Sequence, residues 1–171
     1  RYTTKMAELR KLKPAYDKYD QALAAAGKKD MTTAKKLAAE AAKMVPREAR
    51  FTQLLGDIAM SEKQHKEALT SYEKAIALDG NYFASYLGGG IAQYKLGNKA
   101  KAQEWLKKSA DLLPTAPAAY YLGSMAKERG DMPGAMQLFK AAADSPSDYG
   151  QLAAGEFQRM DLGQNPGSYI A

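Results

Sequence analysis

Residues 51–80 read FTQLLGDIAMSEKQHKEALTSYEKAIALDG, and this stretch decides the fold. On both sides of residues 61–64 apolar side chains recur at three- and four-residue spacing, the pattern of two short amphipathic helices joined by a turn. Small residues stand where two such helices would touch: Gly56 in the first, Ala68 and Ala75 in the second. The stretch then repeats. Gly56, Gly90, Gly123 and Gly155 follow one another at intervals of 34, 33 and 32 residues, and Ala22 lies 34 before Gly56. Four further columns keep the same register: Ala34, Ala68, Ala102, Ala135; Ala38, Tyr72, Leu106, Phe139; Ala41, Ala75, Ser109, Ala142; and Pro46, Gly80, Pro114, Ser147. Self-similarity at a fixed period of this length is the mark of a stacked helical array.

Each column has a physical job. The Gly/Ala and Ala columns permit a close helix crossing, and the larger Tyr/Leu/Phe column fills the wedge between neighbouring pairs. The closing Pro or Gly stops the second helix and redirects the chain. These columns resemble those of the tetratricopeptide-repeat (TPR) family. The resemblance implies an all-α superhelix of antiparallel helix pairs, with repeats at 14–46, 47–80, 81–114 and 115–147 and a C-terminal capping helix at 148–162. Ahead of the repeats, residues 1–13 read as an entry helix interrupted by Pro14, with a new helix starting at 13–14. Asp30 and Asn81 are expected to cap the helices that follow them. The tail, residues 163–171, has turn chemistry and should be loose or docked as an extended strand.

Net charge is +6, carried by one end of the chain. Residues 1–43 hold eleven Lys/Arg against five Asp/Glu, and the remainder holds fourteen of each. A nucleic-acid reader should carry its basic charge as a stripe along the binding surface, so no nucleic-acid partner is expected. A terminal basic block better suits a junction with another domain or an acidic surface. Lys28, Lys29, Lys35 and Lys36 within it read as a solvated face, or as an anionic-lipid or acidic-protein contact. No apolar run approaches the roughly 20 residues a transmembrane helix needs. Cysteine is absent, which removes thiolate chemistry and leaves the compartment open.

Catalytic chemistry finds little to stand on. The single histidine, His65, reads as an exposed turn residue, and H-K-E-A is not the H-E-x-x-H of a zinc helix. No metal or cofactor is expected in this chain. The triplet Gly88-Gly89-Gly90 is the odd feature, since each glycine inside a helix costs about 1 kcal/mol relative to alanine. It reads either as close packing or as a helix face opened to a ligand backbone. Trp105 reads as a partly exposed packing residue or a partner anchor.

By register, the first helices should present Tyr16, Tyr19, Gln53, Asp57, Leu87, Ile91, Tyr94, Tyr120, Ser124 and Lys127 on the concave face. A groove of aromatics with scattered polar groups suits a protein or extended peptide. Alternatively, about half of these residues only pack the superhelix. The Lys/Asn/Arg clamp that chaperone-binding TPR domains close on a C-terminal carboxylate is missing at the corresponding positions, so capture of a tail carboxylate is disfavoured. A finer resemblance lies in PREARFTQLLGDI, YFASYLGGGIAQYKLG, LLPTAPAAYYLG and NPGSYI, which are similar to C-terminal TPR segments of bacterial CAAX-protease-like zinc metallopeptidases. It implies a non-catalytic recruiting domain of a larger periplasmic or cell-envelope protease, with zinc and an intramolecular contact in a catalytic domain that precedes it. The first residue, Arg1, fits that expectation. The alternative is a scaffold or self-association module of an envelope assembly, and an autonomous enzyme is disfavoured.

Overall fold

In a computed structural model the structure describes residues 2–165 and Gly167, and among these there is helix and no strand. In order the helices are α1 Tyr2–Gly27, α2 Met31–Met44, α3 Ala49–Ser61, α4 His65–Leu78, α5 Phe83–Lys95, α6 Lys99–Leu112, α7 Ala116–Glu128, α8 Met132–Ala143 and α9 Asp148–Gln164. They pack as pairs, α1 with α2, α3 with α4, α5 with α6 and α7 with α8, and α9 closes the array against α7 and α8. The first helices also touch in series, α3 with α5, α5 with α7 and α7 with α9. That series is the inner wall of the superhelix.

The small-residue columns sit at the crossings. Ala34, Ala68, Ala102 and Ala135 have no exposed surface at all. A methyl group on Gly56 would lie 2.6 Å from the Tyr72 ring, one on Gly90 would lie 2.8 Å from the Leu106 side chain, and one on Gly123 would lie 2.9 Å from the Phe139 ring. In the second, third and fourth repeats the glycine and the bulky residue are therefore a matched pair. The column ends at Gly123: beside Gly155 the nearest atom a methyl would meet is the Arg159 guanidinium, 3.5 Å away. In α9 the inward position belongs to Ala153, fully buried beside Phe139 and Ala142.

The turns inside the pairs share one backbone device. Lys29, Lys63, Gly97 and Gly130 occupy equivalent positions, and all have left-handed φ of 63°, 60°, 85° and 83°. Asp30, Thr115, Asp131 and Ser147 accept backbone N–H groups at the starts of α2, α7, α8 and α9.

Three expectations need correction. α1 does not break at Pro14 but runs through it for 26 residues. Proline deprives the carbonyl four residues earlier of its partner, and here that residue, Arg10, is exposed, so water can replace the lost bond. Asn81 does not cap α5; its own N–H is held by Asp79 at 2.9 Å, and Tyr82 is the N-cap without a side-chain bond. The last helix extends past residue 162 to Gln164, so the start of the expected tail is helical. Residues 166 and 168–171 of that tail lie outside the described residues.

Candidate functional site: the concave groove

The inner wall encloses an open cavity of about 620 Å³. Its floor comes from α3 through Gln53 and Asp57, from α5 through Leu87, Gly88 and Ile91, from α7 through Tyr121, and from α9 through Tyr149. The Tyr72 ring reaches it from α4, passing over Gly56 to lie against Gly88. The two ends differ in chemistry. At the end where the first helices start are Ala84, Pro117 and Tyr149; at the turn end are Ser61, Lys63, His65 and Lys95.

Asp57 is the best-organised polar group of the floor. Tyr72 Oη donates to its Oδ1 at 2.5 Å, and Gln53 Nε2 donates to its Oδ2 at 2.5 Å. The carboxylate faces the groove's solvent, yet the concave wall thins its hydration, and that desolvation pushes its pKa up against the pull of the two hydrogen bonds. Burial pushes the Tyr72 hydroxyl well above the ordinary tyrosine range, with the Asp57 charge adding to it. Tyr72 therefore stays a neutral donor, holding Asp57 in place.

Of the ten residues expected on the concave face, Gln53, Asp57, Leu87 and Ile91 line this cavity. The other six do not. Tyr16 and Tyr19 pack on Phe51, with ring centroids 5.1 and 5.2 Å away, and Tyr16 donates to Glu48 while the Arg50 guanidinium lies 5.3 Å from its ring. They join the first repeat to the second. Tyr94 of α5 donates to Glu128 of α7, Ser124 bonds back to the Tyr120 carbonyl at 3.0 Å, and Lys127 pairs with Glu156 of α9 at 2.9 Å. Tyr120 turns into an aromatic cluster with Phe139, Tyr121 and Tyr149. Tyr94 and Lys127, in corresponding places on α5 and α7, thus each bond to the next inner helix and occupy its seam rather than the groove.

Sequence reasoning missed Tyr121, Tyr149, Lys63 and Lys95. Tyr121 was within reach: 33 residues after Gly88, it continues the stripe next to the one chosen. The signal that selects between adjacent stripes is the superhelical curvature, and no single repeat carries it. Tyr149 belongs to the capping helix, whose docking on α7 brings its ring 5.8 Å from that of Tyr121.

The glycine triplet resolves as packing at all three positions. A methyl on Gly88 would collide with the Tyr72 ring, one on Gly89 would lie 2.6 Å from the Trp105 indole, and one on Gly90 would meet Leu106. Trp105 thus packs over Gly89, with Tyr86 edge-on at 6.3 Å and Lys101 5.7 Å from its ring. His65 is not an exposed turn residue. It opens α4 and is half-buried at the groove's turn end. Among the described residues no cluster of three metal-ligating side chains occurs, and no helix is long and apolar enough to cross a membrane.

Two family models match this arrangement, one described as TPR repeat over residues 56–97 and one as Tetratricopeptide repeat over residues 87–149. The chain belongs to the tetratricopeptide-repeat family. No curated protein matches it. Among solved structures this TPR chain is similar to yeast Tom70, with a TM-score of 0.74, 20% identity, and coverage of 91% of this chain and 34% of that one. The chain thus spans about a third of Tom70. MamA aligns with a TM-score of 0.67 and 21% identity over 84% of each chain. The first TPR of Spaghetti (RPAP3), bound in its structure to the HSP90 peptide SRMEEVD, aligns with a TM-score of 0.65 and 15% identity over 68% of this chain and 93% of that one. At these identities the likeness is one of fold.

Proposed function

We propose that this chain is a non-catalytic binding module whose concave groove takes a segment of another protein in extended or helical form. One observation carries the reading: an open cavity of about 620 Å³ walled by apolar and aromatic side chains of three successive inner helices and α9, with one oriented carboxylate in its floor. Such a wall is pre-formed, so a ligand meets little ordering cost on the protein side. The peptide seen on the RPAP3 repeat supports the same use of the same fold. No metal or cofactor has a role in this reading.

The test is selection from a random displayed dodecapeptide library against the wild type and against Leu87→Glu/Ile91→Glu, both side chains half-buried at the cavity wall. Sequences recovered on the wild type should bind the variant at least about tenfold more weakly while its circular dichroism is unchanged. Recovery of nothing, or equal binding to both proteins, overturns the reading.

The sequence likeness to C-terminal segments of envelope zinc metallopeptidases supports a finer version, in which the module recruits substrates or partners for a protease domain that precedes it and carries the zinc. An H-E-x-x-H helix upstream in the parent reading frame would be required. Exposed Tyr2 and Leu9 on the first turns of α1, 79% and 60% accessible, favour a second reading, a self-associating scaffold. It requires a concentration-dependent mass by light scattering without ligand; a constant monomer mass removes it.

A further inference from the structure

The turn end of the groove carries two cations that the described residues leave unmatched. Lys63 follows α3 and Lys95 ends α5; both are exposed and both line the cavity. Other cations of the inner helices have carboxylates: Arg50 with Glu48 at 3.1 Å and Lys127 with Glu156 at 2.9 Å. Lys63 and Lys95 form no ion pair with any described residue, and the contact Lys95 does make is a ring, that of Tyr121, 5.9 Å from its Nζ. Asp57, the one carboxylate among the described residues that line the cavity, is already engaged by Tyr72 and Gln53.

Lys63 has a second peculiarity. Its φ of 60° is left-handed, a conformation that the third and fourth repeats give to Gly97 and Gly130. A side chain there costs on the order of 1 kcal/mol. The first repeat also accepts it, at Lys29, but only Lys63 projects into the groove. From this end the α5 and α7 side of the wall continues through Ile91, Leu87 and Tyr121 to Pro117, all uncharged side chains.

We propose that the groove selects a segment carrying an internal Asp or Glu, whose carboxylate is held by Lys63 and Lys95 while a bulky apolar neighbour lies on Leu87, Ile91 and Tyr121. This rests on the peptide-binding reading above and adds the chemistry of the ligand. A side-chain carboxylate is the source because the two lysines stand at an open end of the cavity, where the bound chain can run past them. A charge-assisted hydrogen bond in a partly desolvated groove is about twice as strong as a neutral one, so the carboxylate should decide between otherwise equal segments.

The experiment uses the sequences recovered from the displayed library, made as N-acetylated, C-amidated peptides in matched Glu/Gln and Asp/Asn pairs. Affinities are read by fluorescence anisotropy on the wild type, on Lys63→Gly/Lys95→Gln and on Leu87→Glu. The acidic peptides should bind the wild type about tenfold more tightly than their amide partners, and the gap should close in the lysine variant and narrow with salt. Since Lys63→Gly relieves a left-handed residue, that variant loses affinity without losing stability. Equal affinity within the pairs, with both members lost on Leu87→Glu, overturns this inference and leaves the groove reading standing. A gap that persists in the lysine variant also overturns it, as does binding that appears only when the C-terminal carboxylate is free. Peptides indifferent to Leu87→Glu overturn the groove reading itself.

Discussion

The first repeat and the second solve the same crossing in opposite ways. Between α1 and α2 the facing residues are both small, Ala22 and Ala38, and the space beyond them is filled from the next repeat by Leu54 and Ile58. Between α3 and α4 one residue vanishes and the other is large: Gly56 faces Tyr72, whose ring also lies under Gly88 of α5. The third and fourth repeats follow the second, with Gly90 on Leu106 and Gly123 on Phe139. The alanine seam needs no partner beyond its neighbour's side chains. The ring seam locks a side chain between two helices of different repeats and makes both glycines obligatory.

The largest effect that this contrast predicts is at Tyr72. Tyr72→Ala should empty a site with 1% exposure and lower the stability read from urea unfolding by about 3–5 kcal/mol. A loss no greater than that of an alanine-seam substitution would erase the distinction. Next is Gly88→Ala. The ring already lies within 3 Å of a methyl position on both Gly56 and Gly88, at the same Cε1 and Cζ, so overpacking should cost about 1–3 kcal/mol, and a neutral result would mean that the ring has room. In the first repeat Ala38→Gly should cost only about 1 kcal/mol, chiefly from backbone freedom, since there is no ring to release.

The smallest effect is a pH dependence. The hydrogen bond to Glu128 pushes the Tyr94 hydroxyl up to about 12, and burial raises those of Tyr72 and Tyr121. A raised pKa means that the folded state holds the proton more tightly. This contribution is complete below the ordinary tyrosine value of 10.0 and is lost as pH rises through about 12. Tyr94→Phe should therefore flatten the alkaline fall of the unfolding midpoint between those limits, and an unchanged slope would show that the Glu128 bond does not hold in solution.

Much of this fold is legible in the sequence because a close crossing tolerates few residue types, and those types recur at the repeat period. Gly56, Ala68 and Tyr72 announce each other. The groove is less legible. Helical register predicts which residues share a stripe, but the choice between the stripe of Tyr120 and that of Tyr121 is made by the superhelical curvature, which no single repeat carries. Register places Tyr94 and Lys127 on an open face, whereas each bonds to a carboxylate of the next inner helix, Glu128 and Glu156. The glycine triplet was ambiguous because its three reasons, the rings of Tyr72 and Trp105 and the side chain of Leu106, stand on two different helices.

The double seat of Tyr72 has a consequence for motion. One ring belongs to two repeats, so α3, α4 and α5 cannot open separately, and their amide protons should exchange with solvent as one slow unit. The first turns of α1, which have no such tie, should exchange independently. A truncation after residue 80 would leave the ring with one wall missing, whereas the alanine seam would survive a cut on its outer side. Because the same ring also forms part of the groove floor, anything seated there rests on the joint between the repeats, and its arrival should be felt as a stiffening of that joint.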